Sequence, residues 1–207
     1  MGNDQLEVLK LQLTQREELY LSGKSLPFPA ELNQRIHDLA EERDEPARDL
    51  FIDLLVQRYP DPLIMESLVF ALGFHWTDVK EVALILISLL KEHKSRFVRM
   101  HCAGALGLFG IADAIQPLVC ATCGQDGDED VAAAAQSSLM ELAHLPMAIR
   151  ERVATQMVIH CNELKAVKDI DSLSRLLNQL AGVHAGDGSQ RNDLRNPGSL
   201  EPCFTGF

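Results

Sequence analysis

No stretch of this chain is apolar for long enough to cross a bilayer: the longest, Val82 to Leu90, covers nine residues, against the roughly 20 that a spanning helix needs. The first residues, Met-Gly-Asn-Asp-Gln-Leu-Glu, carry acids early and have no apolar core of the kind a cleaved secretion signal requires. Gly2 is not followed by the Ser or Thr of a myristoylation signal, because the sixth position is Leu6. The expected location is therefore the cytosol, with no membrane partner. Aromatic residues are scarce, at 5% of the chain, while Leu and Ala run throughout, a balance that favours packed helices over a β-sandwich. Basic residues are also in deficit, 19 against 30 acids, for a formal net charge of −11. Nucleic-acid affinity comes largely from Lys and Arg on phosphates, so nucleic acid is excluded as the main partner. Lys91, Lys94, Arg96 and Arg99 lie close together and read as a solvated inter-helix loop.

The usual catalytic and ligand motifs are missing as well. There is no His-Glu-x-x-His and no Gly-x-Ser-x-Gly. Gly23-Lys24-Ser25 has the end of a phosphate-binding loop, but Glu18 stands where its first Gly belongs and no strand precedes it. Asp126, Asp128 and Asp130 match the first calcium ligands of an EF-hand, yet Val131 replaces the loop Gly and Ser137 the final Glu. A helix N-cap with acids at the positive end of the dipole accounts for them. The best metal-ligand set is Cys120-x-x-Cys123 with His160 and Cys161. Those residues fall on helices of two successive units, and small apolar Cys is common in helical cores. The five cysteines are accordingly read as reduced thiols, and no metal, cofactor or catalytic residue is assigned.

What the chain does contain is a repeat. Ile64–Gly73, Val98–Gly107 and Val131–Met140 align, and their starting positions give a period of roughly 34 residues. In each, apolar or small residues recur at i, i+4 and i+8, one face of a helix. Ala71, Ala105 and Ser138 are small at matching places, which lets a neighbouring helix come close. Second helices are expected at Val79 to Lys91, Asp113 to Cys123 and Ile149 to Cys161, with Gly73, Gly110 and Pro146 in or near the turns. One amphipathic pair per period leaves a face uncovered, so the pairs must stack. The fold class expected is all-α, an α-solenoid of stacked helical hairpins. An N-terminal helix is expected in 1–22, the repeat domain in 30–181, and a disordered tail, rich in Gly, Asp, Asn and Ser, in 182–207. The sole Trp, Trp76, falls in a turn, where it either packs or marks a contact.

Ser95-Arg-Phe-Val-Arg-Met-His-Cys-Ala-Gly-Ala-Leu-Gly-Leu-Phe-Gly110 resembles the phycobilisome-lyase type of HEAT repeat, whose pattern is Asp-x-x-Val-Arg-x-x-Ala-x-x-Ala-Leu-Gly-x-x-Gly. Val98, Arg99, Ala105, Leu106, Gly107 and Gly110 fill its places, with Cys102 for the first Ala. In the flanking units Met65 and Ala132 stand where Arg is usual. The resemblance implies that Asp and Arg pair between adjacent repeats, here Asp61 with Arg99. The lack of any His-Glu pair sets the chain apart from the di-iron hydroxylase branch of HEAT proteins. Two functions follow as expectations. The first is a non-catalytic scaffold or adaptor that binds another protein on a concave, acidic face of the second helices, through Lys80, Glu81, Gln116, Arg152 and Gln156. The alternative, implied by the resemblance alone, is a bilin lyase or isomerase subunit acting on a phycobiliprotein.

Overall fold

The computed structural model describes residues 2–124 and 128–182. Among them are eleven α-helices and no strand: α1 (Gly2–Leu21), α2 (Ala30–Glu41), α3 (Glu45–Val56), α4 (Pro62–His75), α5 (Lys80–Glu92), α6 (Arg96–Leu106), α7 (Ile115–Thr122), α8 (Glu129–Leu142), α9 (Met147–Ile159), α10 (Cys161–Ala166) and α11 (Ile170–Leu180). Asp44, Asp61, Ser95, Asp128 and Asp169 each accept a hydrogen bond from a backbone N–H in the first turn of the helix they precede, α3, α4, α6, α8 and α11. These caps satisfy amides that have no partner inside the helix. Pro62 opens α4, where a missing N–H costs nothing. Gly110 ends its turn at φ +63°, a conformation that a Cβ disfavours.

The helices stack in two rows. One row is α2, α4, α6 and α8, each packed closely on the next, and α11 joins it against α8. The other is α3, α5 and α7, which touch one another far less, and α10 continues it against α7. The closeness of the first row has a local cause. Gly73 lies near the C-terminal end of α4, and a Cβ built on it would stand 2.5 Å from the Ala105 Cβ of α6. One repeat on, a Cβ on Gly107 would stand 2.9 Å from the Ser138 Cβ of α8. Ser138 Oγ also donates to the Ala103 carbonyl at 2.7 Å. The small residues set the helix spacing in this row.

Between the rows lies a continuous core that includes Phe51, Leu68, Leu86, Leu106, Leu118 and Leu139, all buried. Trp76 caps α4 and is also buried, its ring set edge-on to Phe51 with centroids 6.4 Å apart. α1 covers the N-terminal end of the stack. It buries Leu6, Leu9 and Leu13, and Tyr59 Oη donates to the Leu13 carbonyl at 2.7 Å.

The structure corrects three expectations. The Asp61 carboxylate pairs with Arg16 of α1, Nε to Oδ2 at 2.6 Å with both side chains buried, and not with Arg99. Arg99 instead reaches Asp128 at the start of α8, at 3.7 Å. The adjacent-repeat bridge exists, one unit later than expected, because the helix-capping Asp that Arg99 faces belongs to the following repeat. The third second-helix is interrupted at His160, φ −102° and ψ 34°, and becomes α9 and α10. Finally, Cys123 and Cys161 are joined by a disulfide, in place of the expected free thiols. The break at His160 brings α10 onto the end of α7 and so brings the two cysteines together. Of the expected tail in 182–207, all but Gly182 lies outside the described residues, and so does Asp126.

Candidate functional site

Ion pairs between equivalent places of successive repeats decorate the stack. Arg43–Asp78 (2.9 Å), Lys80–Asp113 (3.4 Å) and Arg96–Asp130 (3.9 Å) each join positions one repeat apart, and so does Arg58–Glu92. All are exposed, so each contributes on the order of 0–1 kcal/mol. Their spacing restates the repeat period in side-chain chemistry.

A different surface stands out on the closely packed row. Phe28, Leu63, Phe70 and Phe74 are exposed large apolar residues, Phe28 at 67% and Phe74 at 51%. Phe70 and Phe74 lie one turn apart on α4, with ring centroids at 4.3 Å and planes tilted by 30°. His37 of α2 meets Phe70 edge-on at 5.3 Å. Phe28, His37, Leu63, Glu66, Phe70 and His101 line a recess of about 220 Å³. In a chain with so few aromatics, two stacked Phe rings facing solvent are the kind of feature that anchors protein contacts.

The titratable groups of this recess feel its apolar walls. Burial holds His37 below the ordinary histidine value, and nearby His75 adds to that, while Glu41 and Asp38 pull the other way. Burial alone lowers His101. Burial first, and then the Asp61 charge, raises the Glu66 carboxyl. The recess therefore favours neutral imidazoles next to an apolar floor, with Asp38 and Glu41 near its α2 edge.

The face changes character along the stack. The places equivalent to Phe70 and Phe74 hold Gly104 and Leu108 in the next repeat, and Ser137 and Glu141 in the one after it. Gly104 is exposed, with open space where its Cβ would be. Leu108 extends the apolar surface, and Glu141 is tied to Arg150 at 2.7 Å. An aromatic end thus passes through bare backbone to a polar end. Sequence reading does not single out this patch. Its signal is present in the pair Phe70 and Phe74, i and i+4, lying off the buried positions Leu68 and Leu72 of the same helix.

The five residues expected to bind a partner are distributed as follows. Lys80 and Glu81 are exposed at the start of α5, with Lys80 held by Asp113. Gln116 is exposed on α7, and its Nε2 donates to the carbonyls of Lys165 and Val167, anchoring the segment between α10 and α11. Arg152 is exposed and Gln156 half-buried on α9. α5 and α7 stand in one row, whereas α9 packs on α8, α10 and α11. The row to which the first three belong thus continues through α10, while the last two sit on the helix before it.

Among the described residues, no group of three or more His, Cys, Asp and Glu side chains is gathered so as to hold a metal ion. No described helix is long and apolar enough to cross a membrane. His160, expected near Cys161, points its Nδ1 to Glu163 at 3.4 Å. Residues 36–140 match the model of the family described as HEAT repeats. That span begins in α2, ends in α8 and takes in just over half of the chain. No curated protein matches the chain.

Proposed function

The chain belongs to the HEAT-repeat family, and on that premise we propose that it is a non-catalytic scaffold or adaptor that binds another protein in the cytosol. The observation that carries this reading is the exposed aromatic recess of Phe28, His37, Leu63 and Phe70, with the exposed Phe74 packed against Phe70. The recess is lined from α2, α4 and α6, so a partner segment seated in it would meet three helices at once. Large apolar side chains buried there would act as anchors. The net charge of −11 and the carboxylates of Asp38 and Glu41 around His37 favour a partner segment that carries apolar anchors flanked by basic residues. The repeats are of the phycobilisome-lyase type in this reading, on the residues Val98 to Gly110 and the bridge from Arg99 to Asp128. The face marked by Lys80, Glu81, Gln116, Arg152 and Gln156 is the competing contact surface.

Capture of a partner from the native cytosol, read by mass spectrometry and absorbance, separates these readings. The expected result is a stoichiometric, uncoloured protein that is lost with Phe70→Ser/Phe74→Ser while circular dichroism stays unchanged. Loss only with Lys80→Glu, Glu81→Lys and Arg152→Glu would move the interface to the other face. A bilin chromophore or a phycobiliprotein subunit in the eluate would overturn the scaffold in favour of a lyase.

A further inference from the structure

We propose that Cys120, Cys123 and Cys161 form a thiol–disulfide exchange site, in which Cys123 is the shared sulfur and the exposed Cys120 is the thiol that displaces Cys161. Four observations carry it. Cys123 and Cys161 are bonded across 38 residues, with Cα atoms 5.8 Å apart, so the end of α7 is tied to the start of α10. Cys120 is a free, exposed thiol on the same helix, three residues before Cys123. Helix geometry puts such a pair of Cα atoms about 5 Å apart, inside the span that a disulfide accepts. Cys123 is the C-cap of α7, followed by Gly124 at φ +71°. The Cys123 N–H donates to the Val119 carbonyl at 3.0 Å, so a change of partner is a rotation of the Cys123 side chain and not of its backbone.

The exchange balances within the chain. The Cys120 thiolate attacks the Cys123 sulfur, a Cys120–Cys123 bond forms as the Cys123–Cys161 bond breaks, and the departing Cys161 thiolate takes up the proton that Cys120 gave to solvent. No electrons enter or leave, so no external oxidant or reductant is consumed. Cys102 takes no part, because it is fully buried and burial pushes its thiol far up, which disfavours the thiolate. The consequence is mechanical. With Cys161 released, the Gln116 hydrogen bonds to Lys165 and Val167 remain to hold α10 on α7, and the C-terminal cap of the stack loosens. The site has two covalent states, one with the cap latched and one with it released.

The test uses the full chain carrying Cys203→Ser, which removes the fifth thiol, purified without reductant. Rapid acid quenching, alkylation at low pH and peptide mass spectrometry then report which two of the three sulfurs are bonded. The expected result is both linkages, Cys123–Cys161 and Cys120–Cys123, with free Cys161 at least ten-fold above its level in the same protein carrying Cys120→Ser. A Cys161→Ser variant should join Cys120 to Cys123. Wild-type sulfurs confined to Cys123–Cys161, with free Cys161 no higher than in the Cys120→Ser protein, would overturn the proposal. So would free thiols at all three positions.

Discussion

Gly73 and Gly104 both sit inside helices of the closely packed row, and their surroundings give the same substitution opposite signs. A Cβ at Gly73 would press within 2.5 Å of the Ala105 Cβ, whereas nothing lies within 4 Å of one at Gly104. Gly73→Ala should therefore destabilise the protein by about 1–3 kcal/mol through overpacking. Gly104→Ala should stabilise it by about 0.5–1 kcal/mol by restricting the unfolded chain. Urea unfolding checks both, and the double substitution Gly73→Ala/Ala105→Gly should recover part of the first loss. Equal effects at the two positions would mean that the approach of α4 to α6 does not set the spacing. The repeat pattern marks Ala105 and Ser138 as small places for close approach, and the structure puts them there. It does not distinguish a glycine that stops a helix from one that admits a neighbour, because both leave the same letter. For that reason Gly73 reads in the sequence only as a glycine in or near a turn, and its contact with Ala105 emerges in the fold.

At the scale of elements, α1 is the one helix outside the repeat that is locked to it by a buried charge pair. The Arg16 guanidinium, 2.6 Å from Asp61, also donates to the Pro27 carbonyl at 3.2 Å. Asp61 meanwhile accepts from Leu63 N–H at 3.0 Å. Removing one member of such a pair leaves the other charge buried and unpaired, at a cost of about 3–5 kcal/mol. Arg16→Met should lower stability by that order, and Arg16→Met/Asp61→Asn should recover much of it, since Asn still caps α4 without a charge. A loss below about 1 kcal/mol on Arg16→Met would show that α1 is held by its apolar contacts and the Tyr59 hydrogen bond and not by the ion pair. The helix itself, Gly2–Leu21, is readable from the helical spacing of Leu6, Leu9 and Leu13. Its partner is not. Arg16 and Asp61 are 45 residues apart, and the family resemblance implies Arg99 as the partner instead.

At the scale of the whole molecule, three histidines among the described residues have their charged form disfavoured by the packing of different helices and their connections. His37, His93 and His101 all have their proton affinity lowered, burial being the first cause in each. Unfolded, they bind a proton near 6.5; folded, only at lower pH. Between those values the unfolded chain carries more protons, so stability rises with pH across the window, is complete above 6.5 and is lost as pH falls through the folded values. Glu66 has the opposite sign, because burial raises it above 4.5. Its contribution is complete below 4.5 and fades as pH rises through the raised value. Urea midpoints should therefore fall between about pH 7.5 and about pH 5.5, and His101→Gln should flatten that fall. An unchanged slope in His101→Gln would place the proton uptake elsewhere.

Read without its fold, the chain already specifies an all-helical protein with repeating units that begin near Ile64, Val98 and Val131. Apolar spacing and capping residues make this legible, because they act within a turn or two of their own position. The stacking of the pairs is legible too, because an amphipathic hairpin cannot cover itself. Whatever depends on which residues meet across the stack emerges only in three dimensions. Packing gives Asp61 to Arg16 and Asp128 to Arg99, breaks the last second-helix at His160 and so joins Cys123 to Cys161. It also leaves Phe70 and Phe74 uncovered beside His37. Such meetings depend on the separation and rotation of whole helices, which arise from the sum of many small packing contacts and are written in no single stretch of residues.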